Sequence, residues 1–303
     1  MIDFEVDLVV PFVDNKDKVW LKMHNDYCQK HPHEVRKTDT KSVRFDDMGL
    51  FRFMIDGVYK FMPFIRKIHL IVSNKEQVPY YIDLSKVNIV LHKDIIPAKF
   101  LPTFNSTTIE MFIHNIPDLA EHFIYSNDDM YPIGNLTKED FFTEDGKIKM
   151  SYSNEMLADS SGEFRQVCHN NQLYVCNSFN FPYVKKEYIK PKHTMTPMIK
   201  SHVALVRNKN ANIIDSNISA FRTSLQHNQY IYPIYEILSG NCLESPINFS
   251  YIDFDCGKDE IVKEISSMNR QIICINDVTT KKRVEISLHK IEIVNAFKEV
   301  LRK

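Results

Sequence analysis

The chain has 303 residues, of which 44% are hydrophobic and 25% are charged, so it is long enough for one large domain or two small ones. Its 38 basic and 39 acidic residues nearly balance, which leaves no global field to attract nucleic acid or an anionic membrane. Only seven glycines occur, and there is no GxGxxG or Walker-type run. Any phosphate group must therefore be held by side chains and a metal ion.

The six cysteines show neither a CxxC pair nor the spacing of a zinc site, which favours free thiols in a reducing compartment. Residues 1–7 carry acidic side chains and lack a long apolar run, and no stretch approaches the length needed to span a bilayer. We therefore expect a cytoplasmic protein.

Strands alternate with helices in the first third of the chain. Residues 6–13 form a nearly continuous apolar run, typical of a strand buried on both faces, and lead into a polar turn at Asp14, Asn15 and Asp17. A helix is predicted to follow Asp46 or Asp47 as its N-cap, and further strands are predicted at 67–73 and 88–91. This alternation predicts a parallel sheet with crossover helices.

A short predicted strand at 123–126 runs directly into Asn127, Asp128 and Asp129. Ligands of open α/β sheets bind outside the carboxyl ends of the strands. Carboxylate oxygens suit Mg²⁺ or Mn²⁺, and Mg²⁺ binds substrate phosphates through one or two protein carboxylates. The stretch therefore predicts a metal site for a nucleotide diphosphate, and the alternative is a turn that caps the following segment.

The segment before this strand begins with a polar loop at 101–106, which contains Asn105, and continues as a helix predicted over about 107–115. Thr107 and Glu110 have the spacing of a capping box, so Glu110 either serves its own helix or faces the cleft.

The second half of the chain has weaker patterns. Residues 131–185 are rich in Asn, Ser and aromatics, and we expect an irregular segment packed over the site. His193 stands ahead of a predicted helix and is a general base, a metal ligand or a cap. Arg222 leads a helical segment at 230–238, and a strand at 272–275 runs into Asn276 and Asp277. An amphipathic helix is predicted over about 286–301.

Taken in order, these motifs resemble the conserved blocks of the Stealth family of sugar-1-phosphate transferases. Residues 9–17 with Trp20 resemble the opening block, although Phe12 stands where the family usually has Trp and Asn15 where Gly is common. The strongest resemblance runs over about 44–142. His193 and Arg222 match a third block, in which Gln226, His227 or Asn228 replaces the family's acidic residue, and 274–277 matches a fourth.

The resemblance implies a UDP-sugar donor, attack of a glycan hydroxyl on the β-phosphorus, release of UMP and a phosphodiester-linked sugar in capsular or exopolysaccharide synthesis. The acceptor would be a lipid-linked or polymeric glycan, with at most peripheral contact of the protein at the inner face of the membrane. The alternatives are a metal-dependent glycosyltransferase that releases UDP and a non-catalytic binding protein.

Residue types and resemblance together suggest the following roles. Asp129, with Asp128, would hold Mg²⁺ or Mn²⁺. Arg222 and Arg44 would clamp phosphate oxygens, and His193 would be the general base. The expected substrate contacts are Asp14, Asn15, Asp17, Asp46, Asn105, Glu110, Asn127, Asn276 and Asp277.

The resemblance also implies the fold: an α/β, glycosyltransferase-A-like, mostly parallel sheet flanked by helices, with a mainly helical or irregular C-terminal half that completes the site. We expect one catalytic domain over 1–303. Within it, 1–142 would bind the nucleotide sugar, 143–257 would bind the acceptor, and 258–303 would close the fold.

Overall fold

A five-stranded sheet with strand order β3-β2-β1-β4-β9 lies at the centre of the structure, a computed structural model that describes residues 2–36, 45–46, 48–158, 162–276 and 290–303. Its strands are β1 (Val6–Pro11), β2 (Ile65–Val72), β3 (Val87–Leu91), β4 (His122–Tyr125) and β9 (Thr196–Ile199). The pairs β1–β2, β2–β3 and β1–β4 are parallel, and β4–β9 is antiparallel. The predicted mostly parallel sheet is confirmed.

Three smaller sheets surround the central one. Strands β11 (Phe249–Asp253), β12 (Ile272–Asn276) and β5 (Met130–Pro132) form a three-stranded sheet, in which β12 is antiparallel to β5. Two further pairs consist of β6 (Ile148–Lys149) with β10 (Cys242–Leu243), and β7 (Tyr152–Met156) with β8 (Glu187–Pro191).

The helices pack around these sheets. They are α1 (Lys18–Lys30), α2 (Phe51–Phe61), α3 (His92–Ile95), α4 (Ser106–Glu110), α5 (Lys138–Phe141), α6 (Glu163–Phe179), α7 (Lys200–Lys209), α8 (Ala211–Asp215), α9 (Ile231–Leu238), α10 (Lys258–Ser267) and α11 (Lys290–Arg302). None of the helices in the described ranges combines the length and the hydropathy needed to cross a membrane.

Strand β1 is buried on both faces, as its apolar run predicts. Val6, Leu8 and Val10 pack into one core cluster with α2, α10 and α11, whereas Val9 packs into a second cluster with α6, α7 and α9. Alternate side chains of a strand point to opposite faces, so a strand covered by helices on both sides must be apolar at nearly every position.

The prediction of an irregular segment at 131–185 is wrong, because this part contains β5, α5, β6, β7 and the 17-residue helix α6. The helical period of α6 is hidden because three of its buried positions, Asn171, Gln172 and Ser178, are polar. Asn171 donates from Nδ2 to Asn228 Oδ1 at 2.6 Å, and Gln172 Oε1 accepts from the Ile189 amide at 2.6 Å. Buried amides with partners replace the apolar residues that would mark a core face.

The predicted N-cap of α2 is wrong, and of the two alternatives for Glu110 the capping box with Thr107 is excluded. Helix α2 has Leu50 at its N-cap without a side-chain bond, while Asp46 Oδ1 accepts from the Met48 amide at 3.0 Å, and Asp47 lies outside the described residues. Helix α4 begins after Asn105, whose side chain accepts from the Thr107 amide, so Thr107 and Glu110 form no capping box. An Asx turn at Asp46 satisfies local amides without starting a helix.

A buried ion pair joins β1 to β2. Asp7 is 0% exposed and accepts from Arg66 Nε at 2.9 Å and Nη2 at 2.7 Å, from the Ala120 amide at 2.8 Å, and lies 2.9 Å from His69 Nε2. Burial alone would raise the pKa of this carboxyl, but the hydrogen bonds from Arg66, His69 and Ala120 hold it well below its usual range.

We expect Asp7→Asn to lower the free energy of unfolding by about 3 kcal/mol at neutral pH, because Arg66 and His69 lose a buried anionic partner. The matched control is Asp118→Asn, since Asp118 faces the same Arg66 but is 65% exposed in its side chain, and its loss should destabilise the protein far less. Denaturant unfolding measures both variants.

The same unfolding experiment, repeated over a range of pH, tests the direction of the pKa shift of Asp7. A carboxyl with a lowered folded pKa contributes stability that is present above its ordinary pKa and is lost as the pH falls toward the folded value. The stability difference between wild type and Asp7→Asn should therefore be constant near neutrality and shrink in acid. Equal losses for the Asp7 and Asp118 variants would contradict the assignment of stability to the buried pair.

Candidate active site

The Asn-Asp-Asp turn connects the central sheet to the three-stranded sheet. Strand β4 ends at Tyr125, and the Ser126 amide still donates to the Val9 carbonyl of β1 at 2.9 Å. Four residues later β5 begins, and the Asp129 carbonyl accepts from the Ile275 amide of β12 at 3.0 Å. Asp129 is therefore fixed between two sheets, at the carboxyl end of a central strand, where the sequence predicts a ligand site.

His193 reaches this turn because β9 pairs with β4. Tyr125 lies opposite Thr196 in the antiparallel register, so the loop that precedes β9 lies beside the end of β4. His193 Nδ1 and the Tyr230 hydroxyl are 3.0 Å apart and hydrogen-bonded, and the Tyr251 ring meets the imidazole edge to face at 5.5 Å between centroids. When Nδ1–H donates to the Tyr230 oxygen, Nε2 keeps its lone pair for a proton or a metal ion.

Cys274 completes a cluster with Asp129 and His193. It lies opposite Met130 in the β12–β5 pairing, and one ligand atom each from Asp129, His193 and Cys274 lie within 4.8 Å of one another. Asp129 Oδ1 is buried and has no hydrogen-bond partner among the described residues. A buried carboxylate oxygen without a donor fits a cation, so the residues present are compatible with a divalent metal ion at Asp129.

Burial shifts the pKa values of Asp129 and His193 in opposite directions. Burial raises the pKa of Asp129, while His193, Cys274 and Arg222 partly oppose this. Burial lowers the pKa of His193, with Arg222 acting in the same direction and Asp129 against it. At neutral pH the imidazole is therefore kept in its neutral form, which is the form that a general base or a metal ligand needs.

The exposed side chain of Arg222 lies on a loop that continues into buried residues at 226–229. Its Nη2 donates to Ser106 Oγ at 2.6 Å, and its charge acts on the pKa of Asp129 and of His193. Asn105 holds the loop, since its Nδ2 donates to the Phe221 carbonyl at 3.1 Å and to Gln226 Oε1 at 3.0 Å. The structure therefore gives Asn105 a role in positioning Arg222.

Glu110 is buried and does not cap its helix, whose N-cap is Asn105. Its Oε1 accepts from the Tyr125 hydroxyl at 3.1 Å, and its Oε2 accepts from the Gln229 amide at 2.7 Å. Burial raises its pKa, and Arg222 is among the groups that oppose this. Glu110 thus ties β4 to the segment that carries Arg222.

Three polar residues expected at the end of β1, Asp14, Asn15 and Asp17, lie near Asp46, another expected substrate contact. Asp14 Oδ1 accepts from the Lys16 amide at 2.9 Å, the Asn15 amide donates to the Phe45 carbonyl at 3.0 Å, and Asp46 Oδ1 is 3.5 Å from Lys16 Nζ. Asp17 caps α1 and accepts from Asn74 Nδ2 at 2.9 Å. Since β1 and β4 are parallel neighbours, this group lies at the same edge of the sheet as Asp129.

The remaining predicted contacts divide into two groups. Asn127 is half-buried within the turn, and Asn276 ends β12 opposite Asp253. Arg44 and Asp277 lie outside the described residues.

Sequence reasoning overlooked three side chains of the site. In the sequence, Tyr230 is only the first residue of a helical pattern, and no local pattern marks Tyr251 as a site residue. The sequence pattern indicates that Cys274 is a buried thiol of the core. The sequence does contain one signal for Cys274. The string Cys274-Ile275-Asn276-Asp277 is the end of a predicted strand followed by Asn-Asp, as in the stretch at 123–129.

A family profile and several known proteins match this chain. The family profile of Stealth protein CR2, conserved region 2, matches residues 44–150, a region that contains Asn105, Glu110 and both carboxylates of the turn. An exopolysaccharide phosphotransferase of Lactiplantibacillus plantarum is 37% identical over 58% of this chain, which is half of that protein's own length.

Two other relatives align over almost the whole chain. The receptor polysaccharide phosphotransferase WefC of Streptococcus gordonii is 29% identical over 90% of both chains. The capsular polysaccharide phosphotransferase WcwK of Streptococcus pneumoniae is 26% identical over 98% of this chain and 97% of that protein. These alignments therefore include the segments that carry His193 and Arg222.

Proposed function

The chain belongs to the Stealth family, and from this premise we propose that it transfers a sugar-1-phosphate from a UDP-sugar to a hydroxyl of a glycan. The reaction releases UMP and leaves a phosphodiester linkage. The proposal places the protein in capsular or exopolysaccharide synthesis in the cytoplasm, acting on a lipid-linked or polymeric acceptor at the inner face of the membrane.

One observation carries the proposal. Asp129, His193 and Arg222 come from three separate segments of the chain. A ligand atom of Asp129 and one of His193 lie within 4.8 Å of each other, and the charge of Arg222 acts on the pKa of both. Phosphoryl transfer asks the protein for positioning, charge neutralisation and deprotonation of the nucleophile. An anionic ligand for a metal ion, a neutral imidazole and a guanidinium supply these three properties at one place.

In the proposed reaction the acceptor oxygen forms a bond to the β-phosphorus while the bond from that phosphorus to the bridging oxygen breaks. The bridging oxygen leaves with UMP, and the proton of the acceptor hydroxyl passes to His193 Nε2. Tyr230 orients the imidazole through its bond to Nδ1. The half-buried imidazole needs no deprotonation at neutral pH, because its pKa is lowered.

Asp129 would hold Mg²⁺ or Mn²⁺ through the oxygen that has no partner among the described residues, with Asp128 next to it in the same turn. When bound, this ion supplies neutralisation of the charge on the two phosphates. The neighbouring Arg222 would clamp phosphate oxygens through its planar guanidinium, while Ser106 supports one end of that group.

We expect Arg222→Lys to lower kcat/KM by about tenfold to a hundredfold, because an ammonium group cannot reproduce a two-pronged contact with phosphate. The matched control is Arg52→Lys on the surface of α2, where Arg52 pairs with Asp56 and lies over the Tyr81 ring. Steady-state assays of UMP formation measure both. If Arg222→Lys keeps wild-type kinetics, the phosphate clamp is another residue.

The function itself is tested by incubating the protein with Mg²⁺ or Mn²⁺, a panel of UDP-sugars and a glycan acceptor, and by identifying the nucleotide product. We expect UMP, and its formation should stop on chelation. UDP as the product would instead show glycosyl transfer through the anomeric carbon. Absence of both products together with metal-dependent donor binding would point to a binding protein.

A further inference from the structure

The cluster of Asp129, His193 and Cys274 offers one oxygen, one nitrogen and one sulfur to a single point. The ligand atoms lie within 4.8 Å of one another. Cys274 is buried, and so is Asp129 Oδ1, which has no hydrogen-bond partner within the part of the chain that the structure describes. Mg²⁺ takes oxygen ligands almost exclusively and gains little from imidazole or thiolate. The donor set as a whole therefore matches a softer ion than the one that the phosphates of a nucleotide sugar need.

We propose that Asp129, His193 and Cys274 bind a borderline transition-metal ion of the Zn²⁺ class, in competition with the Mg²⁺ or Mn²⁺ of the transfer reaction. Zn²⁺ accepts carboxylate, imidazole and thiolate together, and three protein ligands with one open position are usual for it. The fourth position would be filled by water or by a phosphate oxygen.

Only small movements of the three side chains would be needed to form a tetrahedral metal site. In a tetrahedral site with the usual Zn–S and Zn–N lengths, ligand atoms are about 3.3–3.7 Å apart, so each side chain would move by about 1 Å or less. His193 is already oriented by Tyr230 at Nδ1, which is the outer contact that commonly fixes a metal-binding imidazole.

The charges also favour this class of ion. A carboxylate and a thiolate neutralise a divalent cation, so the complex carries no net charge in a buried place where an isolated ion would be costly. The positive charge of Arg222 repels a cation, but this side chain is exposed to solvent on its loop. Cys274, in contrast, is buried beside Asp129.

A functional consequence rests on the proposed transfer reaction. If Nε2 of His193 is bonded to the ion, it cannot take a proton from the acceptor hydroxyl. Zinc-class ions should therefore inhibit the enzyme at concentrations far below those of the Mg²⁺ that supports it, and binding itself does not depend on the transfer reaction.

The test is a titration of the full chain with Co²⁺ alone, because Co²⁺ reports its ligands through absorption. We expect tetrahedral visible bands and a thiolate-to-cobalt charge-transfer band in the near ultraviolet. In Cys274→Ser the charge-transfer band should vanish and the Kd should rise on the order of a hundredfold. The matched control is Cys176→Ser, a buried thiol of α6 that donates to the Pro182 carbonyl and should leave the spectrum unchanged.

A charge-transfer band that is absent from the wild type, or that survives in Cys274→Ser, would overturn the proposal. If Cys274→Ser does not fold, cadmium NMR of the wild-type protein decides instead, since the cadmium shift separates a sulfur-containing site from one made only of oxygen and nitrogen. Cobalt binding through Cys274, together with no UMP formation in a separate assay with Mg²⁺ or Mn²⁺ and no cobalt, would uphold this site and contradict the proposed function. UMP formation in that assay without cobalt binding through Cys274 would do the opposite.

Discussion

Replacing His193 by alanine is expected to lower kcat by about 10²- to 10⁴-fold, the range that a positioned general base contributes. The imidazole is held by Tyr230 and kept neutral by burial, so no other described group of the cluster can take a proton at neutral pH with the same ease. Single-turnover measurement of UMP formation isolates the chemical step from binding.

The pH profile gives an independent check of the same residue. Because burial lowers the pKa of His193 from its ordinary 6.5, wild-type kcat/KM should stay level as the pH falls to that value and decline only below it. This acidic limb should disappear in His193→Ala. A residual rate within about tenfold of wild type, with the limb unchanged, would place the base elsewhere.

Two further variants separate catalysis from packing. Tyr230→Phe keeps the ring but removes the partner of Nδ1, so it should shift the acidic limb and lower kcat less than His193→Ala does. His92→Ala is the matched control, because His92 is another buried histidine, at the start of α3, and its loss should change stability without moving the pH profile.

Replacing Asp129 by asparagine is expected to abolish metal-dependent binding of the UDP-sugar and to lower turnover by about 10²- to 10⁴-fold. A metal ion contributes several kcal/mol of charge stabilisation to such a reaction, and asparagine removes the anionic ligand while keeping the shape. Calorimetric titration of donor with and without Mg²⁺ measures the first effect, and the nucleotide assay measures the second.

The loss should not come from unfolding. Burial raises the pKa of Asp129, which means that the folded protein disfavours its charged form, so the neutral amide should leave the melting temperature close to that of the wild type. Asp128→Asn is the comparison variant. Asp128 is not part of the cluster with His193 and Cys274, so we expect its loss to lower donor binding and turnover less than Asp129→Asn does. Unchanged metal-dependent donor binding in Asp129→Asn would refute the metal assignment.

The sequence predicted much of the fold because its signals are local. The apolar runs of β1, β2, β3 and β4 were recognised to within a few residues, since strands covered on both faces need apolar residues at nearly every position. Helix α9 was predicted from the helical pattern at 230–238. Helix α6 was not, because Asn171 and Gln172 interrupt its apolar face and gain their partners only from distant segments.

The sequence by itself determined that a strand delivers two carboxylates to the carboxyl edge of a parallel sheet, and that a histidine and an arginine follow at positions that resemble the Stealth blocks. Only the tertiary structure decided which of these side chains meet. The antiparallel pairing of β4 with β9 brings His193 to Asp129, and the pairing of β12 with β5 brings Cys274 there. Strand register between distant segments depends on the whole core, and no local pattern encodes it.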